Sequence, residues 1–131
     1  MQPEEFLSKA FSYALIGATT NKGKYGYRVL MDLHGAGLKV VGVNPKYQEI
    51  EGVRVYPSLK EVPKKPDVAV FVVPPEVGVK VLDEVADLGI KKAWFQPGAE
   101  SDHVRARANE LGIEAQADGS CIMVARRSLG L

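Results

Sequence analysis

Apolar residues fall in short blocks along this chain, separated by amphipathic stretches that end in glycine. The blocks at Ser12–Ile16, Lys39–Val43, Asp67–Val73, Lys91–Phe95 and Ile113–Ala117 are rich in aliphatic, β-branched or aromatic side chains, so they read as strands. Between them, Tyr25–Ala36 carries Val29, Leu30 and Leu33 on one helical stripe. The stretch opened by Pro74-Pro75 carries Val77, Val81, Leu82, Val85 and Leu88 in the same way, and proline is tolerated at a first helical position. Ser101 is placed to cap a third helix over Asp102–Leu111, with Asp102 complementing its dipole.

Each return to a strand is written alike: Gly37-Leu38-Lys39, Gly89-Ile90-Lys91 and Gly112-Ile113-Glu114. Glycine suits the left-handed position that ends a helix, and the apolar run after it suits a buried strand. Three such units in series predict an α/β protein: a Rossmann-like three-layer open sheet, mostly parallel, of five to six strands with helices on both faces. The absence of a linker or composition break makes residues 1–131 a single domain in this reading. The weaker patterns predict a short opening helix over Glu4–Phe11, a strand near Val53–Val55 and a helical turn at Ser58–Val62 capped by Ser58. Nothing definite is predicted after Asp118.

Composition narrows the function classes. The 131 residues are 46% apolar and 25% charged, which excludes disordered and fibrous chains. A formal net charge of +1 gives no bulk attraction for nucleic acid or an anionic membrane, so any phosphate must be held by local groups. One cysteine, an acidic N-terminus without a signal-peptide pattern and no apolar run long enough to span a bilayer predict a cytoplasmic protein. His34 and His103 fall inside helices, with no triad and no Cys/His cluster, so neither a catalytic residue nor a metal ligand is expected. Cys121 reads first as a small buried hydrophobe, with a thiol able to form a mixed disulfide as the alternative. Trp94 and Phe95 lie inside a strand pattern and read as core.

In an open parallel sheet, ligands bind outside the carboxyl ends of the strands. After the first strand comes Gly17-Ala18-Thr19-Thr20-Asn21-Lys22-Gly23-Lys24-Tyr25-Gly26, a loop of glycines, hydroxyls and lysines running into a helix N-terminus. Glycine allows close backbone approach, and the helix N-terminus offers free N–H groups to a pyrophosphate. The pattern is neither G-x-G-x-x-G nor a P-loop. After the second strand, Asn44-Pro45-Lys46 has no acid to accept from a ribose hydroxyl; Lys46 suits a phosphate on the adenosine ribose instead. Val73-Pro74-Pro75 builds a rigid apolar wall, and the glycine of Gln96-Pro97-Gly98 lets the chain pass close to a ligand arm. Valine at Gly17 is expected to block binding with little unfolding.

These pieces, with Tyr56-Pro57-Ser58-Leu59 between them, come in one order that resembles the CoA-binding domain family. The likeness is nearer to its small stand-alone members and more distant to the N-terminal domain of the succinyl-CoA synthetase α subunit. The resemblance implies coenzyme A or an acyl-CoA held across the strand ends. Gly17, Ala18, Thr19, Thr20, Lys22, Gly23, Lys24 and Tyr25 would lie toward its phosphates, and Asn44, Pro45 and Lys46 toward its adenosine phosphate. Val73 and Pro74 would flank the nucleotide, Gly98 would lie close to the pantetheine arm, and Pro75 and Gln96 would complete the site. The resemblance also implies binding without catalysis, since the synthetase's catalytic histidine belongs to a second domain. Small family members carry a shorter cysteine segment with a histidine, from which Cys121–Arg127 departs. An NADP-binding reductase-like domain and a vestigial interaction domain are the competing readings; the ligand expected is a small nucleotide, and no protein partner is indicated.

Overall fold

The central strands carry unbroken apolar runs because both of their faces are covered. The computed structural model describes residues 2–131. In chain order its elements are β1 (Ser12–Ile16), α1 (Tyr25–Gly35), β2 (Lys39–Val43), β3 (Glu49–Ile50), β4 (Val53–Tyr56), β5 (Val68–Phe71), α2 (Pro75–Asp87), β6 (Lys92–Phe95), α3 (Asp102–Glu110), β7 (Glu114–Gln116) and α4 (Ile122–Ser128). Successive side chains of a strand point to opposite faces. Tyr13, Leu15, Val68, Val70 and Trp94 therefore meet α1 and α4 on one face. Ala14, Ile16, Ala69, Phe71, Ala93 and Phe95 meet α2 and α3 on the other. Trp94 and Phe95 are fully buried, as expected; Phe6 packs edge-on against Trp94, and Phe71 stacks on Phe95 at 4.3 Å.

Seven strands form one sheet in the order β3-β4-β2-β1-β5-β6-β7. All pairings are parallel except β3 with β4. The chain winds outward from β1 through β2 to β4, then returns to place β5 on the other side of β1. The order thus reverses between β1 and β5, which opens a crevice beyond Ile16 and Phe71.

The sheet has one strand more than the upper sequence expectation of six, because β3 is missed. It forms a hairpin with β4 around Glu51-Gly52, whose φ values are 46° and 87°. Two positive φ values are the requirement of a type I′ turn, and Glu at its first position lacks the Asn or Asp signature. The Tyr27 hydroxyl donates to the Glu51 carboxylate and holds that residue there.

The expected helix over Glu4–Phe11 is also corrected. Only Pro3–Glu5 forms a 3-10 turn. The Tyr13 hydroxyl donates to the Phe6 carbonyl and accepts from the Ser8 N–H, while the Ser8 side chain accepts from the Ala10 N–H. These side-chain bonds compete with the helical ladder. Ser101 caps α3 through the Val104 N–H at 3.0 Å, as expected. Ser58 precedes a 3-10 turn at Leu59–Glu61 but makes no side-chain cap.

The tail forms α4, which Asp32 ties to α1. Its carboxylate accepts from Arg126 at 2.7 and 2.9 Å and from Arg127 at 3.1 Å. No helix among the described residues is long and apolar enough to cross a membrane.

Candidate functional site

Three glycines make the crevice possible. Gly17 leaves β1 with φ 104°, and a Cβ there would lie 2.9 Å from methyls of both Val72 and Val73. A Cβ on Gly26 would lie 2.1 Å from the Gly17 carbonyl oxygen, so α1 starts hard against the end of β1. A Cβ on Gly42 would lie 2.7 Å from that of Ala18, so the glycine leaves the space in which Ala18 is fully buried. The expectation that valine at Gly17 leaves folding nearly intact is therefore corrected: the backbone conformation and both neighbouring valines oppose any side chain.

The two loops flanking the crevice are fastened together. The Asn44 side chain donates to the Ala18 carbonyl at 2.8 Å and accepts from the Lys46 N–H at 2.9 Å. Tyr47 lies with its hydroxyl 3.4 Å from that of Thr19 and 3.3 Å from that of Thr20. The Thr19 and Thr20 hydroxyls, with the Lys46 charge behind them, hold the Tyr47 phenol below its usual pKa. Asn21 accepts from the Gly23 N–H and rounds off the turn into α1. Lys24 occupies the cap position of α1 in an extended conformation and provides no side-chain acceptor. The helix therefore presents an uncapped N-terminus to the crevice.

A central cleft of about 490 Å³ results. Its floor is Gly17, Gly26, Val72, Val73 and Pro74, and its polar walls are Thr19, Asn44 and Tyr47. Lys24, Arg28 and Lys46 line it as well, and no Asp or Glu does. None of these three cations is in an ion pair among the described residues. The cleft is a concentrated positive site on a nearly neutral chain.

Two further clefts adjoin it. One of about 270 Å³ shares Gly17, Asn44 and Val73 and adds apolar walls from Pro45, Pro57, Leu59, Val77 and Val81. The other, of about 310 Å³, shares Tyr25 and Val72–Pro74 and runs past Pro75 to Gln96, Pro97 and Gly98. An apolar groove of about 340 Å³ lies toward the opposite ends of β1 and β2, between Val41, Tyr56 and Val62. It is remote from the glycine loop and the α1 N-terminus, so it is not part of this site.

Of the residues singled out from sequence, Gly17, Thr19, Gly23, Lys24, Tyr25, Asn44, Pro45, Lys46, Val73, Pro74, Pro75, Gln96 and Gly98 line the three clefts. Thr20 and Lys22 are exposed on the loop but line none of them, and Ala18 is buried beneath it. Gln96 is 1% exposed, and its side chain is engaged inward: it donates to the Cys121 sulfur at 3.3 Å and accepts from the Ile122 N–H at 2.7 Å. Cys121 is half-buried at the start of α4 rather than fully enclosed. His34 and His103 lie on α1 and α3 as expected, and no His, Cys, Asp or Glu group among the described residues could hold a metal.

Gly26, Arg28, Tyr47 and Val72 line the central cleft and lie outside that set. Arg28 was within reach, because it lies four residues after Lys24 and so on the same side of a helix start. Tyr47 had no such local signal.

Known proteins resemble this chain. An ADP-forming acetate–CoA ligase of Methanocaldococcus jannaschii is 40% identical over 89 residues, which are 68% of this chain and 13% of that protein. The ADP-forming acetate–CoA ligase I of Archaeoglobus fulgidus is 33% identical over 115 residues, 87% of this chain and 16% of that protein. The chain thus spans less than a fifth of the length of either ligase. A solved structure of a conserved hypothetical protein from Pyrococcus furiosus has TM-score 0.82 and 50% identity over 87% of this chain and 97% of that one. One from Thermus thermophilus has TM-score 0.87 and 28% identity, covering 98% of this chain and 99% of its own. The family described as the CoA binding domain matches residues 12–127. With a parallel sheet reversing at β1 and β5, and a match covering all but the two ends, this chain belongs to the CoA binding domain family.

Proposed function

We propose that this protein binds coenzyme A or an acyl-CoA across the carboxyl ends of its strands and performs no bond-making of its own. The observation that carries the reading is the central cleft. Two unpaired cations, Lys24 and Arg28, the absence of carboxylates, a glycine-bounded floor and an uncapped helix N-terminus come together there and favour a diphosphate, with Lys46 left for a second phosphate at the edge of the cleft. The adenosine would lie toward the apolar cleft of Pro45, Pro57 and Leu59, with Lys46 beside its ribose phosphate. The pantetheine arm would run the other way, past Tyr25 and Pro74 toward Gly98. The similarity to a small fraction of two acetate–CoA ligases supports a binding role separated from the rest of such enzymes.

A thermal-shift panel with CoA, acetyl-CoA, NADP, NAD and ATP tests this. Stabilisation by CoA and its thioester is expected; a shift with NADP alone would replace the reading by that of a reductase-like domain. Incubation with acetate, CoA and ATP, or with acetyl-CoA, ADP and phosphate, is expected to form no product, and turnover in either direction would defeat the binding-only role.

Lys46→Ala is expected to weaken CoA by about 5- to 10-fold and to leave dephospho-CoA nearly unchanged, since a charge-assisted contact to an exposed phosphate is worth roughly 1 kcal/mol. Isothermal titration with both ligands measures this. Equal losses for the two would remove Lys46 from the ribose phosphate.

A further inference from the structure

The arginines of this chain divide by what holds them. Arg105 and Arg107 pair with carboxylates on or beside their own helix, and Arg126 and Arg127 pair with Asp32. Arg28 and Arg54 pair with none among the described residues, and of these two only Arg28 lines the central cleft. Its guanidinium lies over the Tyr25 ring, 5.4 Å from the centroid, and one terminal nitrogen donates to the Gly23 carbonyl at 3.3 Å. Ring and carbonyl together orient the planar group without neutralising it. The remaining N–H donors form a fork whose geometry matches two oxygens of a phosphate, which a lysine ammonium cannot reproduce.

We infer that Arg28, positioned by Tyr25 and the Gly23 carbonyl, is a diphosphate-recognising residue of this cleft, distinct in role from Lys46. The inference rests on the proposed binding of coenzyme A and deepens it. Tyr25 lines both the central cleft and the one leading to Gly98, so the Arg28–Tyr25 stack stands where a diphosphate would give way to the pantetheine arm. A division of labour follows. Lys46 would separate CoA from dephospho-CoA, whereas Arg28 would act equally on both, because both carry the diphosphate.

Titration of the folded protein with CoA, dephospho-CoA and inorganic pyrophosphate tests this in wild type, Arg28→Lys and Tyr25→Leu. Arg28→Lys is expected to raise Kd for CoA and dephospho-CoA by the same factor, on the order of 10-fold or more, and to weaken pyrophosphate as well. Tyr25→Leu, which keeps the arginine but removes its platform, is expected to show the same pattern to a smaller extent. Unchanged affinities in Arg28→Lys, with wild type binding CoA, would overturn the inference and leave the proposed function standing. A loss confined to CoA would overturn it too, by assigning Arg28 to the ribose phosphate. Wild type that binds pyrophosphate through Arg28 but not CoA would uphold the arginine's role and defeat the coenzyme.

Discussion

Alanine at Gly26 is expected to remove about 3 kcal/mol or more of stability, whereas alanine at Gly35, on the same helix, costs nothing. A methyl on Gly26 would lie 2.1 Å from the Gly17 carbonyl oxygen and 3.2 Å from both the carbonyl carbon and the Thr19 methyl. The obstruction is backbone at the end of the central strand, so no rotamer change relieves it. Relief requires α1 to withdraw from the sheet, which would expose Val29, Leu30 and Leu33, now fully buried. At Gly35 nothing lies within 4 Å of the added methyl. That variant gains helix propensity of up to about 1 kcal/mol and controls for the loss of glycine's flexibility. Urea denaturation of the three proteins decides it. A Gly26→Ala midpoint equal to wild type would mean that helix and strand do not approach so closely. CoA affinity should fall in Gly26→Ala alone, because its helix N-terminus moves away from the cleft.

Asparagine at Asp32 is expected to lower stability by about 2 kcal/mol at neutral pH, and the deficit should shrink in acid. Asp32 and Arg126 keep only 12% and 15% exposure, so the variant leaves a half-enclosed guanidinium without its counter-charge. The cost lies below the roughly 3–5 kcal/mol of a fully buried pair because water still reaches both groups. Arg127, at 61% exposure, adds little. Burial alone would raise the Asp32 pKa, but the hydrogen bonds and charge of Arg126, then of Arg127, outweigh it and hold the carboxyl below its ordinary value. The unfolded chain therefore takes up this proton first as pH falls. The contribution of Asp32 is complete above the ordinary carboxylate range of about 4 and is lost as pH drops through the lower folded value. Asp118, also held low, by its hydrogen bonds to Ser120, is common to both proteins and cancels in their difference. Unfolding free energies of wild type and Asp32→Asn between neutral pH and about pH 3 measure the gap. A gap that stays constant into acid would show that the pair contributes through packing rather than charge.

The features legible in the sequence were local ones. β1, β5 and β6 stand out because strands covered on both faces need no alternation, and their apolar runs are continuous. α3 begins at Ser101 because a serine oxygen and the Val104 N–H are three residues apart, a contact the chain makes without help from elsewhere. The glycine loop, Lys24 and Lys46 were readable for the same reason: position after a strand brings them to the carboxyl edge wherever the rest of the fold lies.

What the order of residues determined by itself is therefore the succession of elements from β1 to β7, β3 excepted, and the edge at which a phosphate would be met. Tertiary structure alone decided where side chains from distant segments turn. Gln96, read as facing a ligand, is drawn inward by the bare Ile122 N–H of a helix 26 residues later, because a buried donor must find an acceptor. Glu51 takes a positive φ in a hairpin clasped by Tyr27, and Arg28 is left over Tyr25 in a cleft without carboxylates. Local spacing cannot carry such facts, since each depends on which partners the closed fold brings within reach and which it keeps away.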